Sequence, residues 1–292
     1  MDIVKAVTLG IVQGLTEFLP VSSSAHLEIV PRLLGWGDAG TAFTGVVQLG
    51  TIAAVILYFR KDLARITTAF LRSLRPGADK TDINARLGWA VLLGTIPICV
   101  LGLLFKNQIH NEARNLWLVA TMMVVMAALL VIAEAVAKHQ RTIENLTIRD
   151  GWIVGFAQAI ALIPGASRSG STLTGALFTG LNREAAARFS FLLSIPAILL
   201  SGLLELKDVI KPEAVPDAIT ASTASGTVKL ITWTAPEVAI ATVVAGLVGY
   251  ACIAWLLRFL RTNSTLPFVI YRLALGGALF YLLFTHNKLV TP

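Results

Sequence analysis

The sequence predicts an all-α integral membrane protein: six transmembrane helices plus two re-entrant helical hairpins in inverted-topology repeats. Three observations predict it. Hydrophobic residues make up 55% of the 292 and charged residues only 14%, against about 25% charged in a soluble domain, so the remaining apolar surface needs lipid. Six stretches stay apolar over the ~17–25 residues that cross a hydrocarbon core about 30 Å thick. Two further segments, 3–30 and 152–182, are apolar on average but broken by Pro, Gly, Ser and ionisable residues.

The first broken segment holds Gln13, Glu17, Pro20, Ser22, Ser23, Ser24 and His26. Irregular backbone at membrane depth survives where protein buries it or a cavity waters it, so a re-entrant hairpin is expected. Gln13, Thr16 and Glu17 spoil a signal-peptide core, so the segment reads as retained. Spans follow at 42–59, 87–105 and 116–137, then the second hairpin, then spans at 189–206, 237–260 and 266–284. The 60–86 connection carries Arg60, Lys61, Arg65, Arg72, Arg75, Lys80 and Arg86, and the same side gains Lys138, Arg141, Arg149 and Arg261. That basic side is expected to be cytoplasmic, with both termini and the 207–236 loop outside. Pro212, Pro216, Ser222, Thr223, Ser225 and Gly226 make that loop read as an irregular surface connection. The net charge of +7 is accounted for by these connections; without a basic face interleaved with aromatics, nucleic acid is excluded as a partner. Cys99 and Cys252 lie inside apolar spans and read as small buried hydrophobes. Glu28 and Glu134 read as interfacial, and His110, His139 and His286 receive no role.

The order of elements repeats. Gln13, Pro20 and Ser23 match Gln158, Pro164 and Ser167 with one residue fewer in the second copy, giving repeats 1–145 and 146–292. Three spans per repeat force the second copy to enter the membrane inverted, which places a site near the midplane where the half-helices converge.

The broken segments carry chemistry. In Pro164-Gly165-Ala166-Ser167-Arg168-Ser169-Gly170-Ser171-Thr172, glycines admit close approach, hydroxyls and a helix N-terminus offer donors to an anion, and Arg168 adds a planar fork suited to phosphate. No Walker lysine is present, so a nucleotide loop is not indicated. In the first segment Ser23 and His26 are three apart and share a face if a half-helix begins near Ser22. His26 then takes a proton from a hydroxyl or attacks phosphorus itself. Glu17 orients His26, carries a proton or binds a divalent cation, and Ser22 and Ser24 serve as helix caps or anion ligands. An anion cradle facing a nucleophile and a base inside a bilayer points to phosphoryl transfer on a phosphate-bearing lipid.

The stretch Glu17-Phe18-Leu19-Pro20-Val21-Ser22-Ser23-Ser24-Ala25-His26, with Pro164 through Thr172, resembles the two signature motifs of the bacterial undecaprenyl-diphosphate phosphatases of the bacitracin-resistance type. The resemblance covers essentially the whole chain. It implies hydrolysis of a prenyl diphosphate lipid, undecaprenyl diphosphate, to the monophosphate, which recycles the carrier lipid of cell-wall synthesis. It further implies a multi-pass protein of the bacterial inner membrane, a homodimer, and a site opening outward. By position it marks Glu17, Ser23, His26 and Arg168 as catalytic and sets Ser167 and Thr172 beside Arg168; together with the neighbouring hydroxyls of Ser22, Ser24 and Ser169 these are expected to bind the diphosphate. It leaves Ser23 and His26 both open as nucleophile. It also implies a divalent cation, Mg or Ca, with Glu17 as its partner. The family's first motif position takes Glu or Gln; Gln13 stands there, which makes Glu17 the only acid of the stretch. A lipid flippase or secondary transporter is the alternative built on the same repeats.

Overall fold

A computed structural model describes residues 2–77, 79, 81–106, 108–109, 115–210, 220–223, 226–229 and 231–285, with backbone alone for 41–42, 201–210, 220–223 and 226–229. Described residues outside one short hairpin are helical or connecting. The first hairpin is α1 (Ile3–Phe18) and α2 (Ser23–Leu33). Then come α3 (Thr41–Tyr58), α4 (Arg60–Ser73), α5 (Ile83–Leu104) and α6 (Leu116–Val136). The second hairpin is α7 (Ile148–Ala159), a single 3-10 turn (Ile160–Leu162) and α8 (Arg168–Phe178). Helices α9 (Arg183–Ile210), α10 (Ala235–Phe259) and α11 (Leu266–Thr285) complete the chain.

Side-chain caps set the helix starts. Asp82 accepts from the N–H groups of Asn84 and Ala85 at α5, and Asn115 from those of Trp117 and Leu118 at α6. Thr147 with Asp150, and Thr234 with Glu237, form capping boxes on α7 and α10.

Among the described residues, four helices, α5, α6, α10 and α11, are long and apolar enough to cross a membrane. A fifth span is available if α3 and α4, bent 76° from one another, are taken as one. The protein is therefore a multi-pass helical membrane protein. The expected spans all fall on helices, the 189–206 stretch lying inside α9.

The connections carry structure of their own, and one expectation needs correction. The 60–86 connection contains α4, an amphipathic helix that buries Ile66 and Ala69 and sets Phe70 edge-on to Trp89 of α5 at 5.0 Å. Of the 207–236 loop, residues 211–219, 224–225 and 230 lie outside the described residues, but Thr220–Thr223 and Gly226–Lys229 pair as an antiparallel two-stranded hairpin rather than an irregular chain. Lys80, His110, Arg114, His286 and the C-terminus also lie outside the described residues.

The halves exchange partners. Helix α1 packs on α10, and its counterpart α7 packs on α5. Both crossings need small residues: a β-carbon on Gly10 would stand 2.6 Å from the Ala241 carbonyl, and one on Gly151 2.7 Å from that of Ala90. The central contacts α3 with α9 and α6 with α11 pair equivalent helices. Element starts agree with this: Ile3 and Ile148, then Ser23 and Arg168, are each separated by the same interval.

Charged residues gather at two ends. At one end Arg188 pairs with Asp62, Arg261 with Glu184, Arg183 with Glu134, and Arg141 with Asp150. At the other the N-terminal segment meets α10, where the Asp2 N–H donates to Glu237, and Trp233 Nε1 donates to the Ala39 carbonyl at 2.8 Å. Glu28 is buried within the protein, paired with Arg32 at 2.9 Å.

Candidate active site

Each broken segment turns at a serine in an unusual conformation. Ser22 and Ser167 have φ of 76° and 71°, in the left-handed half where L-residues are uncommon. Both are N-caps. Ser22 Oγ accepts from the Ala25 N–H and Ser167 Oγ from that of Gly170, at 3.4 and 3.2 Å. Ser24 and Ser169 stand equivalently, each 3.2 Å from its capping serine's hydroxyl. The capping serines correct the repeat register. Ser22, not Ser23, corresponds to Ser167, the interval equals that between Gln13 and Gln158, and no residue is missing from the second copy. Ser23 then corresponds to Arg168, so the two loops place different chemistry at one position.

Those two residues meet on Glu17. Its carboxylate is buried, and four donors converge on it. Arg168 Nη2 and Gln48 Nε2 donate to Oε1, the latter at 3.2 Å. Ser23 Oγ donates to Oε2 at 2.7 Å and Gln13 Nε2 at 3.1 Å. Gln13 is thus a donor that fixes the acid, not a second acid. Its counterpart Gln158 faces no such group, since the position matching Glu17 is Leu162, and its buried amide has no partner among the described protein atoms.

His26 is not brought onto Ser23. Its Nδ1–H donates to the Ser22 carbonyl at 2.7 Å, which leaves Nε2 to accept from the Tyr271 hydroxyl at 2.6 Å. The two rings stack with centroids 5.5 Å apart. Glu17 therefore orients Ser23, not His26. Ser169 Oγ donates to the Leu19 carbonyl at 2.9 Å, bridging the loops, and Thr172 Oγ1 donates to the Arg168 carbonyl at 2.8 Å.

Sequence reasoning missed three members. Gln48 comes from α3. Tyr271 and Arg272 come from α11. Arg272 is 1% exposed and donates to five carbonyls, those of Pro20, Met122, Met123, Gly165 and Ala166, at 3.0–3.2 Å. It therefore ties both chain breaks to α6. An ionisable residue within a span marks a functional region by default, and Arg272 inside the 266–284 stretch was that signal.

The metal expectation fits this donor set poorly. Among the described residues there is no group of three or more side chains suited to a metal ion. Both oxygens of Glu17 already accept from two donors each, one of them a guanidinium. Of the six or more oxygen ligands a divalent cation takes, these side chains offer one carboxylate already occupied by donors, so they do not by themselves build a resident site.

The arrangement defines a class: a multi-pass helical membrane protein in which two broken helices join around one buried carboxylate, a serine and an arginine. Within that class, the model of the bacitracin resistance protein BacA family matches residues 6–278, and the chain belongs to that family. An undecaprenyl-diphosphatase of Myxococcus xanthus is 50% identical over 285 residues, covering 98% of this chain and 90% of that protein. One from Renibacterium salmoninarum is 50% identical over 284 residues, covering 97% and 96%. One from a Nocardioides species is 45% identical over 285 residues, covering 98% of each.

Proposed function

We propose that the chain hydrolyses undecaprenyl diphosphate to undecaprenyl phosphate and inorganic phosphate, recycling the carrier lipid of cell-wall synthesis and giving bacitracin resistance. The observation that carries the mechanism is the Ser23–Glu17 hydrogen bond, with Arg168 of the second loop on the other carboxylate oxygen. Ser23 Oγ attacks the terminal phosphorus while its proton passes to Glu17. The bond from that phosphorus to the bridging oxygen breaks, and undecaprenyl phosphate leaves. Water then hydrolyses the phosphoserine, returning the proton to Ser23. Arg168 and the first two N–H groups of α2 and of α8, which precede those taken by the capping serines, meet the charge that builds on the phosphoryl oxygens. Ser22 and Ser167 aim those helix starts, while Ser24, Ser169 and Thr172 line the cradle. His26, held by Ser22 and Tyr271, is the alternative nucleophile. No step is routed through a metal. Any divalent-cation requirement is placed on the substrate's diphosphate, with Glu17 the one carboxylate of the stretch.

The architecture proposed is six spans and two re-entrant hairpins in inverted repeats 1–145 and 146–292. Support comes from the exchanged contacts of α1 with α10 and α7 with α5. Helix α9, with 28 residues, is about 42 Å long and can supply the sixth span. The termini and the site opening are assigned to the outer face on the charge bias. Self-association as a homodimer is proposed from the family resemblance, and light scattering in detergent checks it.

The decisive test is phosphate release from purified protein given a prenyl diphosphate in detergent. Glu17→Ala and Arg168→Ala should abolish release while the protein still folds; near-normal turnover in both sinks the assignment.

A further inference from the structure

Helix α4 begins where α3 ends, with Phe59 alone between them, and turns by 76°. Its second half lies across the start of α5. Phe70 fills the space that a side chain on Gly88 would need, and Trp89 Nε1 donates to Ser73 Oγ at 3.1 Å. Asp62 ties the first half to α9 through Arg188 at 2.7 Å. A helix pinned between the end of one apolar helix and the first turns of a membrane-crossing one lies where hydrocarbon gives way to headgroups.

Three faces suit α4 to that level. The first carries Ile66 and Ala69 and is buried against the protein. The second is apolar and uncovered, with Leu71 and Leu74 at 57% and 55% exposure. The third is basic. Lys61, Arg65, Thr68 and Arg72 recur at i, i+4, i+7 and i+11, one stripe of a helix, and all four are exposed. Asp62 is the sole acid of α4 and is used by Arg188, so among the described residues none of the three cations has an ion-pair partner. At the same end Arg141, Arg183 and Arg261 each have a carboxylate. Like charges one turn apart repel, so Lys61 beside Arg65 weakens the helix unless anions cover the stripe.

We propose that α4 is a binding site for acidic phospholipids of the surrounding leaflet. It lies in the plane of the bilayer surface, with Leu71 and Leu74 among the acyl chains and Lys61, Arg65 and Arg72 on the lipid phosphates. A basic face beside an apolar one is the pattern by which helices lodge at a membrane surface, and each cation held there adds to the attraction for anionic lipid. The direct continuity of α4 with α3, and its seat on α5, make lipid the occupant of both open faces. The inference is independent of the phosphatase reading and uses none of the residues around Glu17.

The test titrates phosphatidylglycerol or phosphatidylcholine into the purified protein in detergent and counts bound lipids by native mass spectrometry. The parent should bind phosphatidylglycerol at least ~10-fold more tightly than phosphatidylcholine, and the preference should shrink as ionic strength rises. Lys61→Gln/Arg65→Gln/Arg72→Gln should bring the two lipids within ~2-fold of one another. Arg65→Gln/Arg72→Gln serves if the triple variant does not fold, and should lose most of the preference. Lys138→Gln/Arg149→Gln/Arg258→Gln removes the same charge from exposed cations off α4 and should keep the parental preference. Equal binding of the two lipids by the parent overturns the proposal. So does an α4 variant that keeps the parental preference, or a control that loses as much as the α4 variant.

Discussion

Replacing Glu17 by glutamine tests the charge of the carboxylate while keeping its shape. All four groups on it are donors in the parent, so a new amide N–H₂ must find acceptors. On the Oε2 side it finds two. The Ser23 hydroxyl can accept, and turning the Gln13 amide over presents its Oε1, a buried atom with no partner in the parent. The carbonyl of the new amide stays with Arg168 and Gln48. The new amide thus finds acceptors at its own position, and the main loss is the countercharge of Arg168. Breaking a buried ion pair from one side costs about 3–5 kcal/mol; the lower end applies, because the Arg168 side chain keeps 17% exposure and one acceptor. Loss of a positioned proton acceptor costs a further ~10²–10⁴ in rate. Glu17→Gln should therefore lose about 3 kcal/mol in reversible unfolding in micelles and at least ~100-fold in phosphate release. Glu17→Gln/Arg168→Gln should recover most of the stability and none of the activity. A single variant within tenfold of parental turnover, or a double variant no more stable than the single, refutes the reasoning.

Other outcomes are equally specific. Gln48→Leu removes one donor to Glu17 and should lower kcat/KM by ~10-fold in the same assay, with unfolding changed by less than ~1.5 kcal/mol. Ser167→Gly removes a cap, costing a few tenths of a kcal/mol, but relieves the backbone strain of φ 71°, which is of order 1–3 kcal/mol. It should melt at or above the parent temperature while releasing phosphate more slowly. Gly10→Val forces a branched side chain onto the Ala241 carbonyl and should destabilise by at least ~1–3 kcal/mol, read from thermal unfolding by circular dichroism. Tyr271→Phe frees His26 Nε2. Unaltered kcat there supports Ser23 as nucleophile, whereas a change above ~10-fold turns the assignment to His26.

The spans at 87–105, 116–137, 237–260 and 266–284 were legible because lipid imposes one strong rule, and the 116–137 and 266–284 stretches match α6 and α11 to within a residue. The hairpins were legible because Pro20 and Pro164 break runs that would otherwise be helical. Helix α4 was not read out: its apolar positions Leu63, Ile66 and Phe70 recur at helical spacing, but the connection's charges served only to set the orientation. The repeat register slipped by one because the prolines were used as the anchor, while the structure conserves the capping serines. Glu17, Ser23 and Arg168 were found from their residue types, but not the bonds among them. The Ser23–His26 pairing assumed that shared helix face means contact, and the imidazole is instead spent on Ser22 and Tyr271. Gln48 was invisible for another reason: a single polar group in an apolar span says nothing about which distant group it meets.

Arg272 carries a consequence for movement. Proteins that carry solutes through inverted repeats rock one half against the other about the place where their broken helices cross. Here that crossing is riveted, because one guanidinium joins Pro20 of the first half to Gly165 and Ala166 of the second and anchors both to α6. A pivot fastened in this way behaves as an anvil, able to hold a serine and an arginine in fixed register while a lipid headgroup comes and goes.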